Sequence, residues 1–188
     1  VIVIGESHTR DYTQAYVDIF PNTPSINNIA NSHNTIIFSN AYSYHTHTVP
    51  ALMAALTDGR SLTGTTYPTS NNIITLSKEA GINTTWLSNQ AIYGQSDSPI
   101  SAFAYISDTT IIQNTTRKNV PPDEVLLPAF NKVLSTMNQD ENNLIIVHLM
   151  GSHTLYHERV PNDCNMEWIE SKPFSGAFSL SDNFDILL

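Results

Sequence analysis

Residues 73–88 read Ile-Ile-Thr-Leu-Ser-Lys-Glu-Ala-Gly-Ile-Asn-Thr-Thr-Trp-Leu-Ser, and this stretch decides the fold class. Its first part predicts a helix over 73–81, with Gly81 at the position where helices commonly end on a left-handed residue. Asn83 to Ser88 then carries β-branched and aromatic residues that favour a strand. A helix, a glycine turn and a strand in this order are typical of a parallel sheet covered by helices.

Further strands and helices are predicted on both sides of this unit. Val1 to Ile4 is a continuous apolar run, typical of a central strand buried on both faces, and Leu144 to Leu149 is another. Asn34 to Tyr42 is rich in β-forming residues and predicts a third strand. Helices are predicted over 49–57 and over 123–137. The alternation predicts an α/β fold with three layers, α/β/α, around a mostly parallel sheet.

The composition limits the classes of function. The chain has 188 residues, enough for one domain with a buried core, and a formal net charge of −9. We expect no nucleic-acid binding, because no cluster of Lys and Arg is present to neutralise a phosphate backbone. The single cysteine, Cys164, excludes an internal disulfide. No apolar run in the sequence is long enough to predict a membrane span.

Residues 43–53, Ser-Tyr-His-Thr-His-Thr-Val-Pro-Ala-Leu-Met, contain a candidate nucleophile. Thr48 stands just before a predicted helix start, with Pro50 in the first turn, so we expect Thr48 to be the N-cap. Its hydroxyl then lies at the positive end of the helix dipole. That oxygen can serve only as a cap, or it can attack a phosphate as an alkoxide that this positive end stabilises. The local sequence leaves both interpretations open.

Polar residues follow the predicted strands at their carboxyl ends. Glu6 follows the first strand, Asn89 and Gln90 follow the strand of the opening stretch, and His148 to His153 follow the last. Open α/β sheets bind ligands at this edge, so we expect these side chains to share one rim with the candidate nucleophile. Each residue also has a structural interpretation. The glutamate can cap a helix, the amides can stabilise turns, and the histidines can be partly buried and bonded to backbone.

Taken together, these stretches resemble the phosphoethanolamine transferases, which are membrane-anchored enzymes of the alkaline phosphatase and sulfatase superfamily. Four pieces occur in the family's order and at about its spacing: residues 1–7, 40–48, 80–90 and 148–153. From this resemblance we expect residues 1–161 to be the N-terminal part of a sulfatase-like catalytic domain. Residues 162–188 are left as an unassigned tail.

The resemblance implies roles for individual residues. The family's threonine nucleophile matches Thr48, and the family's zinc ligands match Glu6 and Thr48 itself. The substrate-binding positions of the family match four residues: Asn89, Gln90, His148 and His153. The implied reaction is a zinc-dependent transfer of phosphoethanolamine from phosphatidylethanolamine to lipid A or another glycan, through a phospho-threonine. Zinc would lower the pKa of the threonine hydroxyl. The implied location is the periplasmic side of a bacterial inner membrane, where the enzymes modify lipopolysaccharide.

The chain departs from the family pattern in two ways. The family's remaining zinc ligands are an Asp-His pair followed by Gly, and no Asp-His dipeptide occurs here. The membrane domain that normally precedes the first strand, and through which the chain would associate with a membrane, is also missing. We therefore expect an excerpt of a longer protein that is inactive alone, or a degenerate form that binds anionic headgroups without turnover.

Other members of the superfamily are further alternatives, including a phosphoglycerol transferase. Sulfatases use a Cys or Ser in a Cys/Ser-x-Pro-x-Arg setting. Residues 48–52, Thr-Val-Pro-Ala-Leu, lack that arginine, so sulfate-ester hydrolysis is disfavoured.

Overall fold

The computed structural model of the chain describes residues 1–18, 21–58, 71–91, 98–114, 120–153 and 159. The chain divides into two compact units, the first made of Val1–Glu6 and Ser43–Met150 and the second of Ser7–Tyr42 and Gly151–Leu188. The domain boundary predicted at residue 161, the tail over 162–188 and Cys164 lie outside the described residues.

The first unit contains a sheet of four described strands: β1 (Ile2–Ile4), β2 (Asn83–Ser88), β3 (Thr109–Ile112) and β4 (Asn143–His148). The spatial order is β1-β4-β2-β3, and every neighbouring pair is parallel. The described helices of the chain are α1 (Pro24–Ala30), α2 (Thr48–Leu56), α3 (Ile73–Glu79), α4 (Ser98–Ile106) and α5 (Leu127–Thr136). All but α1 belong to the first unit.

Both faces of the sheet are covered, which confirms the α/β prediction. Trp86 and Ile146 point to one face, where they pack in a core with residues of α2, α3 and α4. Leu87, Ile145 and Val147 point to the other face and pack against α5 and the 3₁₀ turn before it. Successive side chains of a strand alternate between faces, so each internal strand serves both cores. The unit therefore has the three layers that the sequence predicts.

Residues 73–88 fold as the sequence predicts. Asn72 caps α3, because its side-chain oxygen accepts hydrogen bonds from the backbone N–H groups of Ile74 and Thr75. The Thr75 hydroxyl in turn accepts a hydrogen bond from the backbone N–H of Asn72, which completes a capping box. Gly81 has a φ of +73°, so the helix ends on a left-handed residue that favours glycine.

Two strand predictions need correction. Val1 to Ile4 does contain β1, but β1 is the edge strand of the described sheet and Val3 is 62% exposed, so the prediction of a strand buried on both faces is wrong. Asn34 to Tyr42 forms no strand, since the segment has no regular structure and Phe38 is exposed. Among the residues that the structure describes, no strand lies beside this segment to complete a ladder. The segment before α2 is thus irregular.

In the second unit, a 3₁₀ turn at Arg10–Tyr12 and the helix α1 are the described regular elements. Thr13 is buried, and its hydroxyl bonds to the Nε2 atom of His8 at 2.7 Å and to the carbonyl of Thr9 at 2.8 Å. These bonds close the loop around the 3₁₀ turn. In neither unit do the described residues include a helix with the length and apolar character needed to cross a membrane.

Candidate active site

The carboxyl ends of three strands lie side by side in the first unit. His148 pairs with Ile4 of β1 on one side and with Ser88 of β2 on the other. The residues that follow these strand ends therefore leave the sheet along a single edge. This edge is where parallel α/β sheets present ligand-binding groups.

Glu6 and Thr48 are in direct contact at this edge. The Thr48 hydroxyl donates a hydrogen bond to Oε2 of Glu6 at 2.7 Å, and both residues are half-buried. The distance is typical of a well-formed hydrogen bond between two side-chain oxygens. The sequence places these residues 42 positions apart, and the fold joins them as β1 and α2 converge.

The position of Thr48 in α2 differs from the sequence prediction. His47 is the N-cap, with φ −108° and ψ 144°, and Thr48 is the first helical residue. The Thr48 hydroxyl does not cap the helix, because it bonds to a carboxylate instead of to backbone N–H groups. The interpretation of Thr48 as an N-cap is therefore wrong, whereas its predicted position at the amino end of α2 is confirmed.

His148 ends β4 as a buried imidazole. Its side chain is 2% exposed, and its ring meets the Trp86 ring edge-on with centroids 6.0 Å apart. Burial lowers the pKa of the imidazole to about 4, although the carboxylates of Glu6 and Asp123 act in the opposite direction. The Nε2 atom is buried and has no hydrogen-bond partner among the described residues. His148 is thus a neutral ring with one unused polar atom.

Asn89 and Gln90 use their amide N–H groups within the chain. Asn89 is fully buried, and its Nδ2 atom donates to the carbonyl of Pro121 and to Oδ1 of Asp123, each at 2.9 Å. Gln90 is half-buried, and its Nε2 atom donates to the carbonyl of Leu149 at 2.8 Å. The amides therefore stabilise the rim itself.

Asp123 is a residue at this edge that the sequence reasoning did not select as a site residue. Its Oδ1 atom accepts hydrogen bonds from Asn89 and from the backbone N–H of Met150, the latter at 2.8 Å. The sequence signal was present, because Pro-Pro-Asp precedes the predicted helix over 123–137. That signal indicates only a helix start, however. It does not predict the hydrogen bond from Met150, which follows β4.

The remaining candidate is His153. It belongs to the second unit, and its side chain is exposed. Of the predicted site residues, the structure thus brings Glu6 and Thr48 into contact and places Asn89, Gln90 and His148 along the same edge of the first unit. Within the ranges that the structure describes, no group of three or more His, Cys, Asp or Glu side chains is gathered in the manner of a metal site.

The model of the family described as sulfatase matches residues 1–169. The chain belongs to this family. The fold agrees, because the chain resembles the crystal structure of the C-terminal periplasmic domain of EcEptC from Escherichia coli in complex with Zn. The TM-score is 0.82 at 24% identity, and the match covers 99% of this chain and 53% of that one.

Curated relatives confirm the resemblance to phosphoethanolamine transferases. A putative phosphoethanolamine transferase of Haemophilus influenzae is 34% identical over 85% of this chain and 32% of its own length. Phosphoethanolamine transferase OpgE of Escherichia coli K12 is 34% identical over 81% of this chain and 28% of its own. Phosphoethanolamine transferase EptC of the same strain is 28% identical over 87% of this chain and 28% of its own length. The chain thus spans about a third of the length of these relatives or slightly less.

Proposed function

We propose that this chain is part of the catalytic domain of a phosphoethanolamine transferase. The enzyme would move phosphoethanolamine from phosphatidylethanolamine to lipid A or another glycan through a covalent intermediate on Thr48. The observation that carries the proposal is the 2.7 Å hydrogen bond from the Thr48 hydroxyl to Glu6 at the carboxyl edge of the sheet. The names of the similar proteins support the group that is transferred.

The first step forms a bond between Thr48 Oγ1 and phosphorus and breaks the bond from phosphorus to the diacylglycerol oxygen. The hydroxyl proton moves along its hydrogen bond to the Glu6 carboxylate, and the departing diacylglycerol oxygen takes up a proton from water. In the second step an acceptor hydroxyl attacks phosphorus and releases its proton to water, the bond to Thr48 breaks, and Glu6 returns its proton to the Thr48 oxygen. Two easier displacements thus replace one difficult transfer.

Glu6 and Thr48 offer donors that suit zinc. A carboxylate oxygen and a hydroxyl oxygen stand 2.7 Å apart at this edge, and oxygens of this kind are among the donors that zinc accepts. A zinc site normally takes three or four protein ligands, so others would come from outside the described residues. When bound, zinc would neutralise phosphoryl oxygens and favour the ionised hydroxyl. The zinc complex of the EcEptC domain supports this assignment.

The edge of the sheet also supplies groups for the donor headgroup. Gln90 is half-buried, and one N–H of its amide donates to Leu149, while its carbonyl oxygen can accept a hydrogen bond from an ammonium group. His148 and His153 are assigned to the headgroup from the family resemblance, and the His148 ring is buried in this structure. Asn89 is also buried and supports this edge of the sheet with its amide.

The location follows from the same proposal. Donor and acceptor are both lipids or lipid-linked glycans, and the catalytic domain would act at the periplasmic face of a bacterial inner membrane. Membrane association would reside in parts of the protein outside this chain. The chain alone is proposed to be inactive, because only two zinc donors are in contact among the residues described.

The proposal is tested by Thr48→Ala in the full-length protein that carries this chain, with Thr46→Ala as the matched control. Thr46 is exposed, and its hydroxyl contacts only the neighbouring His47 ring in the bonds described. We expect Thr48→Ala to lower transfer on the order of 10³-fold or more and Thr46→Ala to leave it unchanged. Transfer is measured with phosphatidylethanolamine vesicles and a lipid A acceptor.

Mass spectrometry tests the covalent step directly. After incubation with the donor and without acceptor, a peptide containing Thr48 should gain the mass of one phosphoethanolamine group, and the Thr48→Ala protein should not. Full transfer by the Thr48→Ala protein, or an adduct that persists in it, would exclude Thr48 as the nucleophile.

A further inference from the structure

Asp123 connects two strand ends at the candidate site. It opens the 3₁₀ turn Asp123–Leu126 before α5, and its Oδ1 atom accepts two hydrogen bonds. One comes from the side chain of Asn89, which follows β2, at 2.9 Å. The other comes from the backbone N–H of Met150, which follows β4, at 2.8 Å. A single carboxylate oxygen thus holds together two segments that extend beyond the sheet.

The bonds of Asp123 are part of a series that fixes the end of β4. The backbone N–H of Asn89 donates to the carbonyl of His148 at 3.0 Å, and the Gln90 side chain donates to the carbonyl of Leu149 at 2.8 Å. Asp123 binds the next residue, Met150. Three consecutive residues, 148–150, are therefore each held by a different polar group.

These bonds matter because the described residues just after β4, 149–153, belong to no strand. Asn89 is fully buried and Met150 is 8% exposed, so water is a poor substitute for either partner of Asp123. Without the carboxylate, the buried N–H of Met150 and the buried amide of Asn89 would each lose a partner. The segment would then shift to find new ones, and Gln90 and His148 would shift with it.

We propose that Asp123 is a positioning residue for phosphoethanolamine transfer, which it supports by holding Asn89 and Met150 so that the half-buried Gln90 is fixed in place beside the donor headgroup. This inference rests on the function proposed above. Asp123 does not touch the substrate in this scheme. It acts through the two segments that it joins.

The kinetic consequence separates positioning from simple stabilisation. In the full-length protein, Asp123→Ala should raise the KM for the donor about tenfold or more while kcat stays within about threefold. The nucleophile and its carboxylate are held by α2 and the end of β1, so chemistry at saturating donor should persist. A residue that only stabilises the fold would reduce the active fraction, which lowers apparent kcat and leaves KM unchanged.

Asp108→Ala is the matched control. The Oδ2 atom of Asp108 also accepts two hydrogen bonds, from the backbone N–H of Thr84 at 2.9 Å and from its hydroxyl at 2.7 Å. Thr84 is buried near the amino end of β2, so this variant loses a similar set of bonds at the opposite end of the same strand. We expect its donor KM to equal that of the unmodified protein.

Two further variants keep the test decisive if Asp123→Ala does not fold. Asp123→Asn retains an acceptor oxygen at the same place, so its KM should stay within about threefold of the unmodified value. Asn89→Ala removes the other half of the contact and should raise KM to a similar extent as Asp123→Ala. Because both act through one contact, the double variant should be no worse than the worse single variant.

Hydrogen exchange gives a readout besides activity. The backbone amide of Met150 should exchange faster in Asp123→Ala than in the unmodified chain, and no faster in Asp108→Ala. Equal KM values for Asp123→Ala and Asp108→Ala, or for Asn89→Ala and the unmodified protein, would overturn the inference. Thr48→Ala distinguishes this outcome from a failure of the proposed function. If Thr48→Ala retains full transfer, the proposed function is wrong. If Thr48→Ala loses activity, only the inference about Asp123 is wrong.

Discussion

The edge of the His148 ring meets the Trp86 ring at an interplanar angle of 88°, with centroids 6.0 Å apart. Both side chains are almost fully buried, and they stand on adjacent strands, β4 and β2. An imidazole in such an environment is far more stable neutral than charged, because burial removes the water that would solvate the cation. The fold therefore keeps a neutral histidine beside the candidate nucleophile pair.

We predict that the free energy of unfolding rises with pH between about 4 and 6.5 because of His148. Its pKa is lowered from 6.5 to about 4, mainly by burial, so between these values the unfolded chain binds a proton that the folded chain does not. The contribution of His148 to the free energy of unfolding is complete above pH 6.5 and is lost as the pH falls toward 4. The total change over this range is about 3 kcal/mol. Urea unfolding of the chain in the presence of a chelator, followed across this range, measures it.

His148→Phe removes the titrating group but keeps a buried ring, so the slope in this pH window should flatten. His33→Phe is the control for the loss of an exposed histidine. An unchanged slope in His148→Phe would mean that another group causes the dependence.

A second prediction concerns Asp108, which binds Thr84 at the start of β2. The hydrogen bond from Lys78 and those from Thr84 lower the pKa of the Asp108 carboxyl to about 2. A lowered carboxyl pKa contributes stability that is present above the unfolded value of 3.8 and is lost as pH falls toward 2. Because the side chain is partly exposed, we expect Asp108→Ala to cost only about 1 kcal/mol at pH 7.

The loss in the free energy of unfolding caused by Asp108→Ala should become smaller as the pH falls from 4 to 2. Unfolding curves of the variant and the unmodified chain at both pH values measure this change. Asp140→Ala serves as the comparison, because Asp140 is exposed in the turn before β4 and should change stability little at either pH. A cost of Asp108→Ala that is equal at both pH values would contradict the charge-based explanation.

The parts of the fold that the sequence predicts correctly are those set by local rules. The capped helix α3, the left-handed Gly81 and the strand β2 all lie within one continuous stretch, and each depends on its own residues or close neighbours. β4 is likewise a short apolar run with a buried interior. Such signals are read without knowledge of distant partners.

The errors concern features that depend on distant residues. Asn34 to Tyr42 has strand composition but no partner among the described strands, and β1 lies at the edge of the described sheet, which its apolar run does not reveal. The missed elements α4 and β3 are short and lie among polar segments of the sequence. Similarly, Thr48 as a cap is a local inference, whereas its bond to Glu6 depends on the meeting of β1 and α2. The role of Asp123 has the same long-range origin.

A third prediction concerns the capping box of α3. Asn72→Ala removes an acceptor for the N–H groups of Ile74 and Thr75, so the free energy of unfolding should fall by about 1 kcal/mol. Asn72→Gly should cost only a few tenths of a kcal/mol, because glycine is tolerated at an N-cap. Equilibrium denaturation of the two variants measures the difference. Equal costs for the two would show that the cap bonds contribute little.

The last prediction concerns zinc at the contact between Glu6 and Thr48. Glu6→Gln keeps the size of the side chain but removes the charged oxygen that accepts from Thr48, so zinc affinity of the full-length protein should fall by at least about tenfold. Thr48→Ala should also weaken binding, since it removes the second oxygen. Metal content after dialysis against a chelating buffer, measured by elemental analysis, gives the affinity without any assay of transfer.

Glu79→Gln provides the control for charge alone. Glu79 is an exposed carboxylate at the end of α3, and its removal changes the net charge of the chain as Glu6→Gln does. Its zinc content should match that of the unmodified protein at every chelator concentration. If Glu6→Gln retained zinc as well as Glu79→Gln, the metal would be held by other residues, and the bond between Thr48 and Glu6 would serve the proton of the nucleophile and not a cation.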